Sequence, residues 1–158
     1  MKTAIVTGGS GGIGEAVCRR LAADGYRVIL NYAHSKDKAE KLAAQIGGEA
    51  VGFSVTDCRA VNSAIENIGF ADLLVNNAGI SEIDLFTHIS QENARNIMET
   101  NLIGAMNCAR SVLPPMINRK SGCIINIYSM WGQVGASCEV DYSASKAGLI
   151  GFTKALAK

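Results

Sequence analysis

The sequence predicts a doubly wound α/β domain, a parallel sheet of strand order 3-2-1-4-5 with helices on both faces. Three observations carry that expectation. Short apolar runs alternate with segments of helical periodicity along the chain, which is the pattern of strand-helix-strand units. The run "GCIINIYS" (122–129) is apolar at successive positions, as a strand buried on both faces should be. The first strand-to-helix junction, "TGGSGGIG" (7–14), holds five glycines in eight residues.

The elements follow in order. "TAIVT" (3–7) reads as the first strand. Ile13, Ala16, Val17 and Leu21 recur at helical spacing up to Ala23, and Gly25 supplies a stop. "YRVILNY" (26–32) is a second strand, and "SKDKAEKLAAQIG" (35–47) an amphipathic helix ended by glycine. "EAVGFSV" (49–55) is a third strand, after which Asp57 is placed to cap a helix running to about Ile68. "ADLLVNNAG" (71–79) is a fourth strand with a glycine turn. A long helix follows Ser90, with Leu102, Met106, Ala109, Val112, Leu113 and Met116 on one stripe. After the fifth strand a last helix starts near Asp141 and is expected to run on to Lys158.

Bulk properties narrow the function. The 158 residues fit one domain, 1–158, with hydrophobic residues at 48%, charged residues at 18% and a formal net charge of +1. That balance points away from nucleic acid. No apolar run reaches the ~18 residues of a membrane span, and "MKTAIVTGG" is too short and too soon broken by glycine to serve as a signal peptide. The five cysteines (18, 58, 108, 123, 138) form no metal-like grouping with His34 or His88 and read as reduced, mostly packing thiols of a cytoplasmic protein.

The glycine loop is placed for a dinucleotide pyrophosphate. Glycines let backbone approach the phosphates, and the helix start offers free N–H groups and a positive dipole end. Two parses fit: Gly9, Gly11 and Gly14 as G-x-G-x-x-G, or Thr7-Gly8, Gly12 and Gly14 as T-G-x-x-x-G-x-G. No Gly-Lys-Ser/Thr follows, which excludes a P-loop. The end of the second strand, Asn31-Tyr32-Ala33-His34-Ser35-Lys36, has no carboxylate to hold a ribose 2′-OH. Two readings stand there: a solvated loop, or Ser35 and Lys36 meeting a 2′-phosphate. The second favours NADP (as NADPH) over NAD.

"TGGSGGIG", "NNAG" (76–79) and "YSASK" (142–146), in that order and on those elements, resemble the short-chain dehydrogenase/reductase family, whose domain is of Rossmann type. The resemblance covers essentially the whole chain. It implies catalytic roles for Asn101, Ser129, Tyr142 and Lys146. It implies cofactor contacts from Thr7, Gly8, Ser10, Gly11, Gly12, Ile13, Gly14, Asn31, Tyr32, Ser54, Val55, Asn76, Ala78 and Gly79, with Tyr142 and Lys146 again. Departures are small: the family often has Asp at Ser54, Ser at Tyr128 and, in carrier-protein reductases, Arg at Gly11.

Tyr142 and Lys146 are four apart and so share a helical face. A lysine cation there eases formation of a phenolate, and the first helical turn adds a positive dipole end. The resemblance makes Tyr142 the proton donor to a carbonyl oxygen and Ser129 its hydrogen-bonding partner. Lys146 would hold the nicotinamide ribose and Asn101 would anchor a water. Within the family the chain is most similar to bacterial 3-oxoacyl-carrier-protein reductases, whose substrates are small or carrier-bound ketones. "WGQVGASCEV" (131–140) also resembles reductases of 5-aminopentanone groups on elongation factor P. The family continues beyond a fifth strand and assembles as homodimers or homotetramers, so the chain is expected to be a C-terminally truncated form, inactive and prone to associate. The rival from another class is a dinucleotide-binding protein that turns nothing over.

Overall fold

Alternate residues of the central strands enter two different cores, which is how one sheet comes to be covered on both faces. In the computed structural model, which describes residues 1–158, Ala4 and Val6 of β1 (Thr3–Val6) join Val28 and Leu30 of β2 (Arg27–Tyr32) on one face. That face is closed by α1 (Gly12–Ala23) and α2 (Lys36–Ile46) through Cys18, Ala39, Leu42 and Ala43. Ile5, Ile29 and Leu74 of β4 (Leu73–Asn76) point the other way. They meet Val61 and Ile65 of α3 (Cys58–Ile68) with Cys108, Ala109, Val112 and Met116 of α5 (Gly104–Arg119). The period-2 geometry of a strand dictates this division.

All strand pairs are parallel and the order is β3-β2-β1-β4-β5, with β3 at Glu49–Gly52 and β5 at Cys123–Asn126. β1 lies in the centre, pairing with β2 from Thr3 opposite Arg27 and with β4 from Ala4 opposite Leu73. The sequence expectation for order and class holds. Asp57 caps α3 as expected, its Oδ1 accepting from the N–H groups of Arg59 and Ala60 at 2.9 and 3.0 Å.

Four local expectations are corrected. The long helix after Ser90 is three segments in line: α4 (Gln91–Met98), a π-helical turn over Glu99–Ile103, and α5. Its buried stripe is Ala105, Cys108, Ala109, Val112 and Met116, with Leu102, Met106 and Leu113 only half-buried at its flanks. β5 is a sheet edge rather than a strand buried on both faces; Cys123 is exposed and Ile125 is 44% exposed. The cysteines divide, with Cys18 and Cys108 buried but Cys58 and Cys123 exposed.

The last two helices are α6 (Trp131–Val134), a single turn with no signal in the sequence, and α7 (Val140–Leu156). Gly132 lets α6 lie directly on α7: a Cβ there would stand 2.7 Å from the Lys146 carbonyl carbon. Leu149 of α7 is in the core at 1% exposure. No helix is long and apolar enough to cross a membrane.

Candidate active site

The carboxyl ends of β1, β2, β4 and β5 bring most of the sequence-selected residues to one edge of the sheet, where ligands of open α/β sheets bind. The glycine loop after β1 is held from two sides. Asn31 Oδ1 accepts from the Gly8 N–H at 3.2 Å, and the Asn31 carbonyl accepts from the Gly9 N–H at 2.9 Å. Asn77 Nδ2 donates to the carbonyls of Thr7 and Gly8 at 3.0 and 3.1 Å, while Thr7 Oγ1 accepts from the N–H groups of Asn77 and Ala78 at 3.0 Å each.

The clamped loop turns sharply into α1. A Cβ on Gly14 would overlap the Gly8 carbonyl oxygen and lie 2.7 Å from Asn77 Nδ2, so only glycine fits. Ser10 is buried, whereas Gly11, Gly12 and Ile13 are exposed, with Ile13 at 62%. They present the first turn of α1, whose leading N–H groups have no partner within the helix.

Several candidates work as braces. Asn31 is 2% exposed and commits its Nδ2 to the Phe53 carbonyl at 2.8 Å. Asn76, 4% exposed, donates to the Ala105 carbonyl at 3.2 Å and to Asn126 Oδ1 at 2.9 Å, tying β4 to α5 and β5. Val55 packs into the core against Gly104, and its carbonyl accepts from Asn107 Nδ2 at 3.0 Å. Tyr32 covers Gly52, where a Cβ would be 2.9 Å from the ring. Ser54 is exposed and shares a 2.9 Å bond with Thr56 Oγ1. Ser35 and Lys36 are exposed just past β2, with Lys36 3.7 Å from Glu40.

The residues nearest the expected chemistry converge on α7. Lys146 is 4% exposed, and its Nζ donates to the Ile127 carbonyl at 2.9 Å, just past β5. Burial holds its ammonium below the ordinary lysine value. Nζ lies 5.7 Å from the centre of the Tyr142 ring. Gly79 comes in beside it: a Cβ there would be 3.2 Å from Asn101 Oδ1 and 3.5 Å from Lys146 Nζ. Asn101 stands in the π turn, 1% exposed, and clamps Ile80 by accepting its N–H at 2.8 Å and donating to its carbonyl at 2.9 Å. Ser129 Oγ accepts from the Trp131 N–H at 3.2 Å at the start of α6, and no hydrogen bond joins it to Tyr142.

Two residues absent from the sequence expectation shape the site, and a third, Asn77 of "NNAG", takes a part the motif did not announce. Asn77 holds the glycine loop. Ser143 Oγ accepts from the Ala136 N–H at 3.1 Å, fastening the 135–139 loop to α7. Ser145 bonds both Asn101 and the Tyr142 carbonyl. Small polar residues inside a helical motif carry no signal that separates such links from spacers.

A glycine loop opening a helix thus shares one edge of the sheet with a buried lysine that faces a half-buried tyrosine ring. A family model described as short chain dehydrogenase matches residues 2–158, and the chain belongs to that family of oxidoreductases, which work with a nicotinamide dinucleotide. It is 39% identical over 166 residues to the 3-oxoacyl-[acyl-carrier-protein] reductase FabG of Staphylococcus aureus, a match covering 99% of this chain and 68% of that protein. It is 39% identical to a 3-oxoacyl-[acyl-carrier-protein] reductase of Synechocystis sp., covering 99% and 67%. With the acetoacetyl-CoA reductase of Paracoccus denitrificans it shares 41% identity over 161 residues, covering 99% and 66%.

Proposed function

We propose that these residues form the active site of a reductase which, extended past the fifth strand as the family is, converts the ketone of a 3-oxoacyl thioester to the alcohol, with NADPH as reductant and either a carrier protein or coenzyme A bearing the acyl group. The observation that carries this is the buried Lys146, tethered to the Ile127 carbonyl and facing the Tyr142 ring with Gly79 bare beside it. A buried cation is costly unless it is paired or hydrogen-bonded, and the Ile127 carbonyl is the one acceptor that Lys146 Nζ meets. The names of the relatives support the substrate class.

The residues present fit the cofactor. The cradle at Gly8, Gly14 and the first turn of α1 would hold a pyrophosphate, Ala78 and Gly79 would pass a ribose, and Lys146 a second one. When bound, the cofactor supplies hydride to the carbonyl carbon. Tyr142 gives its phenolic proton to the carbonyl oxygen, and Ser129 donates to that oxygen the hydroxyl proton that its bond from the Trp131 N–H leaves free. Lys146 stabilises the phenolate that remains, and Asn101 keeps the loop over it in place. Exposed Ser35 and Lys36, with no carboxylate at 31–36, support NADP over NAD. Ile103 and Ile117, 38% and 67% exposed on the long helix, support assembly as a homodimer or homotetramer. Five free cysteines fit a reducing, cytoplasmic setting.

The test is NADPH oxidation with an acetoacetyl thioester by the C-terminally extended protein. Tyr142→Phe keeps the ring and removes the transferable proton, so kcat should fall by about 10²–10⁴ while cofactor still binds. Turnover within tenfold of wild type would remove Tyr142 from the mechanism. The ratio of kcat/KM for NADPH to that for NADH should exceed one; a ratio below one would overturn the cofactor assignment.

A further inference from the structure

Tyr142 and Lys146 are separated by three small residues, and one of these is wired into the site. Ser145 is 0% exposed. Its Oγ accepts from Asn101 Nδ2 at 3.1 Å and donates to the Tyr142 carbonyl at 2.7 Å. Asn101 uses the rest of its amide on Ile80, whose N–H and carbonyl it meets at 2.8 and 2.9 Å. The direction of every bond is then fixed. A backbone N–H can meet only Oδ1, so Nδ2 must face Ser145, and the single Ser145 proton must go to Tyr142. These bonds link the loop after β4, through the π turn, to the first turns of α7.

Resting on the oxidoreductase reading above and deepening it, we propose that Ser145 is a positioning residue. It sets the spacing between the loop after β4, where Gly79 lies beside Lys146 Nζ, and the helical turn that carries Tyr142. Asn101 cannot do this alone, because its bonds to Ile80 tie it only to the loop. Without the Ser145 hydroxyl one buried Nδ2–H loses its acceptor, at a site where neither residue has solvent to turn to. The loop and α7 are then free to drift apart by fractions of an ångström, and misplacement on the order of 1 Å can cost about 10²-fold in rate.

The experiment compares wild type, Ser145→Ala and Ser145→Thr, all in the C-terminally extended protein. The side-chain amide pair of Asn101 is identified in ¹H–¹⁵N spectra by its loss in Asn101→Asp. In wild type and Ser145→Thr that pair should exchange slowly with solvent; in Ser145→Ala its exchange should accelerate by about tenfold or more. In Ser145→Ala, kcat per folded molecule should fall by roughly 10–10²-fold, with KM for NADPH within about twofold and activity restored in Ser145→Thr. Unchanged amide protection in Ser145→Ala overturns the proposal, as does lost protection with unchanged kcat. An extended wild type that oxidises no NADPH overturns the functional reading instead, and the amide measurement then decides on Ser145 alone. If Ser145→Ala does not fold, Ser145→Cys, which keeps the size and weakens the acceptor, is read in its place.

Discussion

At Lys146 a charge sits where charge is disfavoured, and this gives it a pH signature. Its folded-state proton affinity is lowered by desolvation, while in the unfolded chain it titrates near the ordinary 10.5. Between the lowered value and 10.5 the unfolded state holds more protons, so this residue makes stability rise with pH across that window. Lys146→Met, which keeps the stem and removes the charge, should abolish that increment. Urea midpoints of the two proteins should differ most below the window and converge toward pH 10.5; a constant difference would show that burial of the charge is not felt. The pairing of Lys146 with Tyr142 was legible because helical spacing alone puts i and i+4 on one face. The links through Ser145 and Asn77 were not, since both depend on which loop the fold brings alongside.

The turn from β1 into α1 shows a whole element resting on one missing side chain. Gly14→Ala would drive a Cβ into the Gly8 carbonyl, which is backbone and cannot swing aside. The chain should lose about 1–3 kcal/mol of stability and bind NADPH more weakly, read from urea melts and a fluorescence titration. Gly11→Ala is the contrast: nothing lies within 4 Å and its φ of −113° suits any residue. Its urea midpoint should stay within about 0.5 kcal/mol of wild type. An equal loss in both would mean that loop flexibility, not the close approach, is what matters. The strand-helix alternation was readable from apolar spacing, and the α3 cap from Asp57. The π turn around Asn101 was hidden, because its five residues are of ordinary helical composition and nothing in their spacing marks a wider turn. β5 misled for the opposite reason: composition reports how apolar a strand is, not whether a neighbour lies beside it.

For the molecule as a whole, the thiols form a built-in gauge of opening. Burial pushes Cys18 and Cys108 from 9.0 up to about 12, with Glu15 adding to the effect at Cys18. Their unfolded counterparts lose protons first, so the stability they contribute is whole below pH 9.0 and is lost as pH rises toward 12. This slope opposes that of Lys146, and subtracting the Lys146→Met curve separates them. Near neutral pH, Cys58 and Cys123 should react with a thiol reagent at once, whereas Cys18 and Cys108 should react about 10³-fold more slowly or less, at the rate of global unfolding. Prompt reaction at Cys108 would mean that the α5 face of the sheet opens on its own.

The strand order also has a consequence in time. The strand made first, β1, ends in the middle of the sheet, and its second neighbour lies far along the chain: the Thr3 N–H bonds Asp72 across 69 residues. A ribosome adding about 5–20 residues per second leaves about 3–14 s between the two. Throughout that interval a strand whose every residue ends up buried has one margin bare, and β2 and α1 can shield only the other side. The nascent chain should therefore be most dependent on chaperone cover from the release of β1 until β4 emerges, and hardly at all afterwards.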